Sequence, residues 1–459
     1  MTSVPGVNRK AATKQACAPE SASGARRMQL RYGFNEIYGW WALSQGEHRE
    51  RIQRLLRLMG TQVMRVFVFD QPVPDPIKDW HLFAGYLQGV LDAGAKPMVT
   101  FAKFHPPYDN PKNIRNFVAR CTEIVWGCIE QWGGAEVKDW YWCVWNEPNN
   151  RIVGGDLPFS QYRRIYEEVA TAVLALLEPH LGGDKARIGG PAIDGTHRAY
   201  WMDWISRLVA EVDDNLLGFA SWHRYGDWRP AVPSATLDLE MWGSPDAPTG
   251  EAFETLLMAQ TPDYEARARG VARLLENRDI LNVCGELNTM SHHEQYYTLG
   301  LNQNVFGAAY YASALIHLLR GGADLEMRWT ATAHDDAYGL MSKDGEPTPV
   351  CLAKQLFAQH VRYGDWVRYP SPPPDANDVD AVVAWDDSGR RSGVFVNTTA
   401  RPRVLNVSDW EERLETCKRI LRVDAGTGGR VVQDRFDGTV SLNAYGVAVA
   451  TNAMDTEMD

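Results

Sequence analysis

From residue 29 to about residue 330 the chain repeats one pattern. Short runs rich in β-branched and aromatic residues alternate with longer runs whose apolar residues recur at helical spacing. The strand-like runs fall at 30–35, 63–69, 97–101, 139–147, 187–193, 216–223, 280–286 and 325–330. Between them lie helix-like runs at 47–59, 81–93, 113–132, 160–177, 200–212, 264–277 and 305–319, with a last amphipathic piece at 351–361. In the first of these, Ile52, Leu55, Leu56 and Met59 share one helical face. In the fourth, Ser160 is a candidate N-cap and Pro179 lies just past the expected end. Parallel strands joined by helical crossovers are buried on both faces, and eight such units close into a barrel of roughly 250–400 residues. The spacing therefore predicts an α/β fold, a (β/α)8 TIM barrel over residues 29–365.

A chain of 459 residues has room for more than that barrel. After Ser371-Pro-Pro-Pro374, a stiff punctuation, short alternating segments at 381–385, 393–397, 404–407, 419–424, 440–442 and 446–450 are separated by turn residues such as Asp386-Asp387-Ser388-Gly389. They predict an antiparallel β-sandwich as a C-terminal accessory domain over 366–459. Residues 1–28 carry Arg9, Lys10, Lys14, Arg26 and Arg27 without an apolar h-region, which predicts a flexible extension rather than a secretory signal, and with it a cytoplasmic location.

Composition narrows the function classes. A net charge of −11 without clustered Lys and Arg argues against a nucleic-acid surface and suits a neutral ligand. No apolar run approaches the ~18 residues of a spanning helix, so no membrane partner is expected. The seven cysteines lack paired short spacing, so neither a zinc site nor a disulfide framework is read from them. His292-His293 lack a visible third ligand, and neither metal nor cofactor is expected.

The stretch Asp139-Trp-Tyr-Trp-Cys-Val-Trp-Asn-Glu-Pro-Asn149 begins as a buried strand and turns abruptly polar. Pro148 cannot continue a strand ladder, so the strand should end near Asn146-Glu147 and leave the Glu147 carboxyl at the C-terminal rim. In a parallel barrel that rim is where chemistry is done, although a solvated strand-end Glu would read the same in isolation. Glu286 ends the seventh strand in Asn282-Val-Cys-Gly-Glu-Leu-Asn288 and supplies a second rim carboxyl. Arg65 and Asp70 belong to the second strand, His105 follows the third, His223 and Tyr225 share one face at the end of the sixth, and Trp329 ends the eighth. Asp335-Asp336 follow the eighth strand, either lining the mouth or solvated, and Trp40-Trp41 follow the first, either at the mouth or packed between barrel and helix.

Two opposed carboxyls ringed by donors and aromatics suit a sugar-binding site that breaks a glycosidic bond. One carboxyl must arrive protonated to deliver a proton to the leaving oxygen, and the other ionised to attack or stabilise an oxocarbenium-like carbon. Asn146 is placed to meet a sugar hydroxyl, Tyr225 to hold a carboxylate, and Trp329 to stack on a ring. For Arg65, ion-pairing with a rim carboxylate and contact with the substrate both remain open. His105 and His223 are the other candidate substrate-binding residues.

The run Trp-Tyr-Trp-Cys-Val-Trp-Asn-Glu-Pro-Asn and the later Glu-Leu-Asn-Thr-Met-Ser resemble the two carboxylate motifs of clan A glycoside hydrolases. Ser221-Trp-His-Arg-Tyr225 is similar to the sixth-strand His-x-Tyr of glycoside hydrolase family 39, the β-xylosidase and α-L-iduronidase family. That resemblance extends over roughly residues 30–450 and implies a barrel with a β-sandwich beside it, Glu147 as general acid/base, Glu286 as nucleophile and a retaining double displacement. Two segments depart from it: Phe69-Asp-Gln-Pro-Val73 lacks the sugar-reading pattern of the family's β-xylosidases, and the loop after Asn149 does not match. The default expectation is an enzyme acting on a β-xyloside or related β-linked carbohydrate. An endo-acting glycanase of the same clan is the enzymatic alternative, with the long 227–263 insertion able to wall a pocket or border a groove. A non-catalytic carbohydrate-binding barrel is the alternative of another class, against which the presence of both carboxyls counts.

Overall fold

The computed structural model describes residues 24–37, 39–69, 73–196, 199–227, 250–290, 300–332, 338–371, 376–407 and 412–453. Eight parallel strands close a barrel: β2 (Arg31–Glu36), β3 (Thr61–Val68), β4 (Lys96–Phe101), β5 (Tyr141–Val144), β6 (Arg187–Asp194), β7 (Phe219–Tyr225), β8 (Leu281–Asn288) and β9 (Leu325–Arg328). This is the expected TIM barrel. Its interior is filled by Val63, Met98, Tyr141, Cys143, Ala192, Phe219, Val283, Leu325 and Met327, while the alternate residues point out under the helices. Among the described residues no helix is long and apolar enough to cross a membrane.

The helices follow the predicted order, with two short additions at Trp40–Ser44 and Gly134–Val137 and three further differences. Helix α6 (Phe159–Leu181) begins before Ser160 and runs through Pro179, since a proline in the last turn removes only one hydrogen bond before Gly182, at φ 62°, ends the helix. A 3-10 turn at Asp214–Leu216 takes the first part of the run read as the sixth strand. Within the 227–263 insertion, residues 228–249 lie outside the described set, and helix α8 (Gly250–Met258) precedes α9 (Thr261–Leu274).

The C-terminal region is antiparallel, as expected, but its layers are unequal. A seven-stranded sheet runs in the order β1-β10-β11-β12-β17-β14-β15 and faces a two-stranded pair, β13 (Arg403–Asn406) with β16 (Thr439–Leu442). Of the large sheet, β10 is Trp366–Arg368, β11 Val379–Trp385, β12 Arg391–Asn397, β14 Arg419–Val423, β15 Val432–Arg435 and β17 Val447–Thr451. Strand β1 is Arg26–Arg27, inside the stretch expected to be an extension; it pairs with Trp366 and Val367. Residues 1–23 lie outside the described set.

Alternation along the central strands explains how the sheet is covered. Ala381, Val383 and Phe395 pack toward the two-stranded pair, whereas Val382, Ala384, Val394 and Val396 join the barrel's own outer core. The barrel side of that contact is helix α10 (Val305–Gly321) and helix α11 (Pro349–His360). Ser313 of α10 donates to Asp380 at 2.5 Å, and His360 at the end of α11 lies 3.0 Å from Ser392 Oγ. The accessory sheet therefore completes the barrel's hydrophobic cover.

Burial, reinforced by Arg390, Arg362 and Arg419, pushes His360 down to about 3. The unfolded chain binds a proton at this residue near pH 6.5 and the folded protein does not, so stability falls as pH drops below about 6.5 toward 3. His360→Asn should flatten that loss by up to about 1.4 kcal/mol per pH unit, read from denaturant unfolding at pH 6 and pH 4.

Candidate active site

The site is built at the C-terminal rim from a strand end that leaves its ladder early. Ladder pairing of β5 stops at Val144, two residues before the predicted end. Trp145 adopts φ 77° and Glu147 φ 46°, left-handed conformations that turn the chain over the barrel mouth. Three main-chain bonds hold this turn: Trp145 N–H to Phe101 O, Asn146 N–H to Ala102 O, and Glu147 N–H to Ala192 O. Gly154 then returns so close that an added Cβ would stand 1.9 Å from the Glu147 carbonyl oxygen, so only glycine fits there.

Glu286 reaches the site through an irregularity. Val283 points into the barrel and Leu287 into the outer core, although residues four apart on a regular strand share a face. The register shifts between Cys284 and Leu287, and His223 becomes the partner of Glu286. The extra residue turns Glu286 inward.

The two carboxyls meet there. One carboxylate oxygen of each of Glu147 and Glu286 and one ring nitrogen of His223 lie within 4.8 Å of one another. Glu286 Oε1 accepts from Arg65 Nη1 at 2.7 Å, and Oε2 accepts from the Tyr225 hydroxyl at 2.6 Å. Glu147 Oε1 lies 2.8 Å from His223 Nδ1, and Oε2 accepts from Asn150 Nδ2 at 3.0 Å. Burial pushes His223 down to about 4, so near neutral pH it faces Glu147 as an uncharged imidazole rather than as a cation. Burial, with the Glu286 charge beside it, raises Tyr225 well above the usual phenol range, keeping its hydroxyl a donor. The carboxylate–imidazole–carboxylate trio has donors that a cation could use, but Arg65 already places a positive charge on Glu286.

Arg65 is fully buried and spends its nitrogens on protein: Nε on Thr100 Oγ1 at 2.9 Å, Nη1 on Asn35 Oδ1 as well as Glu286, and Nη2 on Asn146 Oδ1 at 2.7 Å. Of the two readings open for it, the ion pair is the one formed. The same bond fixes the Asn146 amide so that Nδ2 is its remaining donor. Tyr225 holds a carboxylate, as expected, and His223, a candidate substrate-binding residue, stands against the other carboxyl. Trp329 is half-buried at the end of β9, packed edge-on against Phe67 at 5.7 Å. His105 is exposed in the loop past β4, and among the described residues no hydrogen bond joins it to either carboxyl. Trp40 packs against the core while Trp41 is exposed. Asp70, His292-His293 and Asp335-Asp336 lie outside the described residues.

Sequence reading missed Asn35 and Asn150. Asn35 donates to the carbonyls of Gly285 and Met327 and accepts from Arg65, tying the first barrel strand to the Glu286 turn. A polar residue at the end of the first strand-like run was its only signal. Asn150 had none beyond standing next to the Asn-Glu-Pro-Asn run.

With this geometry in view, the motif resemblance is borne out. The model of the family "Glycosyl hydrolases family 39" matches residues 84–256, which include Glu147, His223 and Tyr225 but not Glu286. A β-xylosidase of Geobacillus stearothermophilus is 34% identical over 95 residues, 21% of this chain and 18% of that protein, so the match spans under a fifth of that relative's length. Among solved structures, a family 39 β-xylosidase from Caulobacter crescentus superposes with a TM-score of 0.63 at 15% identity, covering 93% of this chain and 97% of that one. A family 51 α-L-arabinofuranosidase from Bifidobacterium longum gives 0.64 at 15% identity, covering 94% and 98%. A family 39 enzyme from Xanthomonas axonopodis pv. citri gives 0.58 at 16%, covering 92% and 93%. At these identities the superpositions speak for the fold, a barrel with an appended antiparallel sheet.

Removing the guanidinium would leave the Glu286 charge buried without its cation. Arg65→Ala should lower stability by about 3–5 kcal/mol near neutral pH, measured by denaturant unfolding.

Proposed function

We propose that the protein is a retaining O-glycoside hydrolase in which Glu286 is the nucleophile and Glu147 the general acid/base. The observation that carries this reading is the asymmetry between two carboxyls that stand side by side at the barrel rim. Glu286 is held by a buried guanidinium and a phenol hydroxyl, which set a positive charge beside it and fix the orientation from which it attacks. The described partners of Glu147 are a neutral imidazole and an amide, an environment compatible with a carboxyl that gains and loses a proton. Retaining enzymes keep their carboxyls ~5–5.5 Å apart and inverting ones ~6.5–9.5 Å, and one oxygen of each carboxyl lying within 4.8 Å of the other is compatible with retention.

In the first half-reaction Glu286 attacks the anomeric carbon while Glu147 protonates the departing glycosidic oxygen. In the second, Glu147 takes a proton from water as it displaces Glu286, returning the acid. Arg65 and Tyr225 hold the attacking carboxylate in one rotamer through both steps. Asn146 Nδ2 offers the hydrogen bond to a sugar hydroxyl, and Trp329 the apolar surface under the ring. A β-linked xyloside is the substrate class proposed, supported by the β-xylosidase among the sequence relatives. A soluble carbohydrate is the partner, and neither nucleic acid nor membrane is called for.

Glu286→Gln should abolish turnover of nitrophenyl β-xyloside. Glu147→Gln should slow substrates with poor leaving groups far more than activated aryl glycosides, which need little protonation. Product NMR should show the β-anomer first. If both variants keep wild-type rates across a panel of aryl glycosides, the assignment fails.

A further inference from the structure

The loop after β5 carries a second asparagine whose amide is shared between two carboxyl groups. Asn150 Nδ2 lies 3.0 Å from Glu147 Oε2 and 3.3 Å from Asp194 Oδ2 at the end of β6. Asn150 Oδ1 accepts from the main-chain N–H groups of Ile152 at 3.0 Å and Val153 at 3.3 Å. The acceptor end of the amide is thus committed to the turn, and the donor end must face the carboxyls. Neither part is free to drift. Asn149 exchanges two bonds with the Asp194 main chain, at 2.9 and 3.0 Å, and Asn150 O accepts from the N–H groups of both Gly154 and Gly155. Asn150 is itself buried, as is Asp194.

We propose that Asn150 is a positioning residue that fixes the Oε2 side of Glu147 and sets the ease with which that carboxyl changes protonation state. The inference rests on the reading of Glu147 as acid/base. A hydrogen bond donated to a carboxylate favours its ionised form, so Asn150 supports Glu147 as the base of the second half-reaction. His223 holds the other oxygen, and Asp194 keeps the Asn150 amide turned toward Glu147. Without the Asn150 donor, Glu147 remains an adequate acid but holds its proton too tightly to serve as base. The glycosyl-enzyme then accumulates.

Two variants separate this role from simple support of the loop. Asn150→Ala removes both ends of the amide. Asn150→Asp keeps oxygen acceptors for the Ile152 and Val153 N–H groups but replaces the donor with a carboxyl beside Glu147. Protein labelled with 13C at glutamate carboxyls would be titrated by NMR, with the Glu147 signal identified by its loss in Glu147→Gln. The titration midpoint should rise in both variants, by about one pH unit in Asn150→Ala and further in Asn150→Asp. The alkaline limb of kcat/KM should move up in the same order while the acid limb stays in place. With activated aryl glycosides kcat should fall, and azide, which attacks the glycosyl-enzyme without needing a base, should restore it. A midpoint that stays or falls in both variants overturns the proposal, as does a loss of kcat with an unmoved alkaline limb. If Asn150→Ala does not fold, Asn150→Asp alone decides between these outcomes. If the wild-type protein turns over no glycoside, the acid/base reading of Glu147 fails, and the NMR titration still decides what Asn150 does to that carboxyl.

Discussion

A guanidinium sealed inside the barrel mouth holds the site together. Arg65 rises from β3 and meets Thr100 on β4, Asn146 past β5, Glu286 on β8 and Asn35 on β2. A buried cation is tolerable only when its donors are matched, and each partner comes from a different part of the ring. Closure of the barrel and satisfaction of Arg65 are therefore the same event. The consequence reaches the proposed chemistry, because the group that neutralises Arg65 is the carboxylate proposed as nucleophile.

Around that anchor the rim is organised by departures from regular structure. Trp145, Glu147 and Ala192 all take left-handed backbone conformations, at φ 77°, 46° and 53°. β6 shifts register beside Ala192, and β8 shifts beside Glu286. Each irregularity costs free energy locally and is held by neighbours, as with the Glu147 N–H bond to Ala192 O. Regular strands would have sent some of these side chains outward under the helices. The irregular ends bring Glu147 and Glu286 together beside His223.

Support for the barrel comes partly from outside it. Helices α10 and α11 are buried nearly all round because the C-terminal sheet covers the side that would otherwise face water. That sheet contributes no residue to the carboxyl pair described above. Its contacts with α10 and α11 place it on the helical wall, and β1 carries the chain from its edge into the first barrel strand.

The eight-unit count, the order of the main strands and helices, the antiparallel C-terminal region and both carboxyls can be read along the chain, because these are carried by local periodicity and by residues at strand ends. Glu147 and Glu286 were legible for that reason, and so was Tyr225 as the residue that steadies a carboxylate. The duties of Arg65 and His223, the exposure of His105, and the participation of Asn35 and Asn150 were decided only by the tertiary structure. Each depends on which groups from distant strands arrive within about 3 Å, and hydrogen bonds of that length join residues as far apart as Arg65 and Glu286. A register shift makes the same point: the pattern of apolar residues in Asn282–Asn288 reads as an ordinary strand, and one extra residue in its pairing turns Glu286 into the site. Side-chain period is a local property of the chain, whereas register is fixed only when neighbouring strands pair.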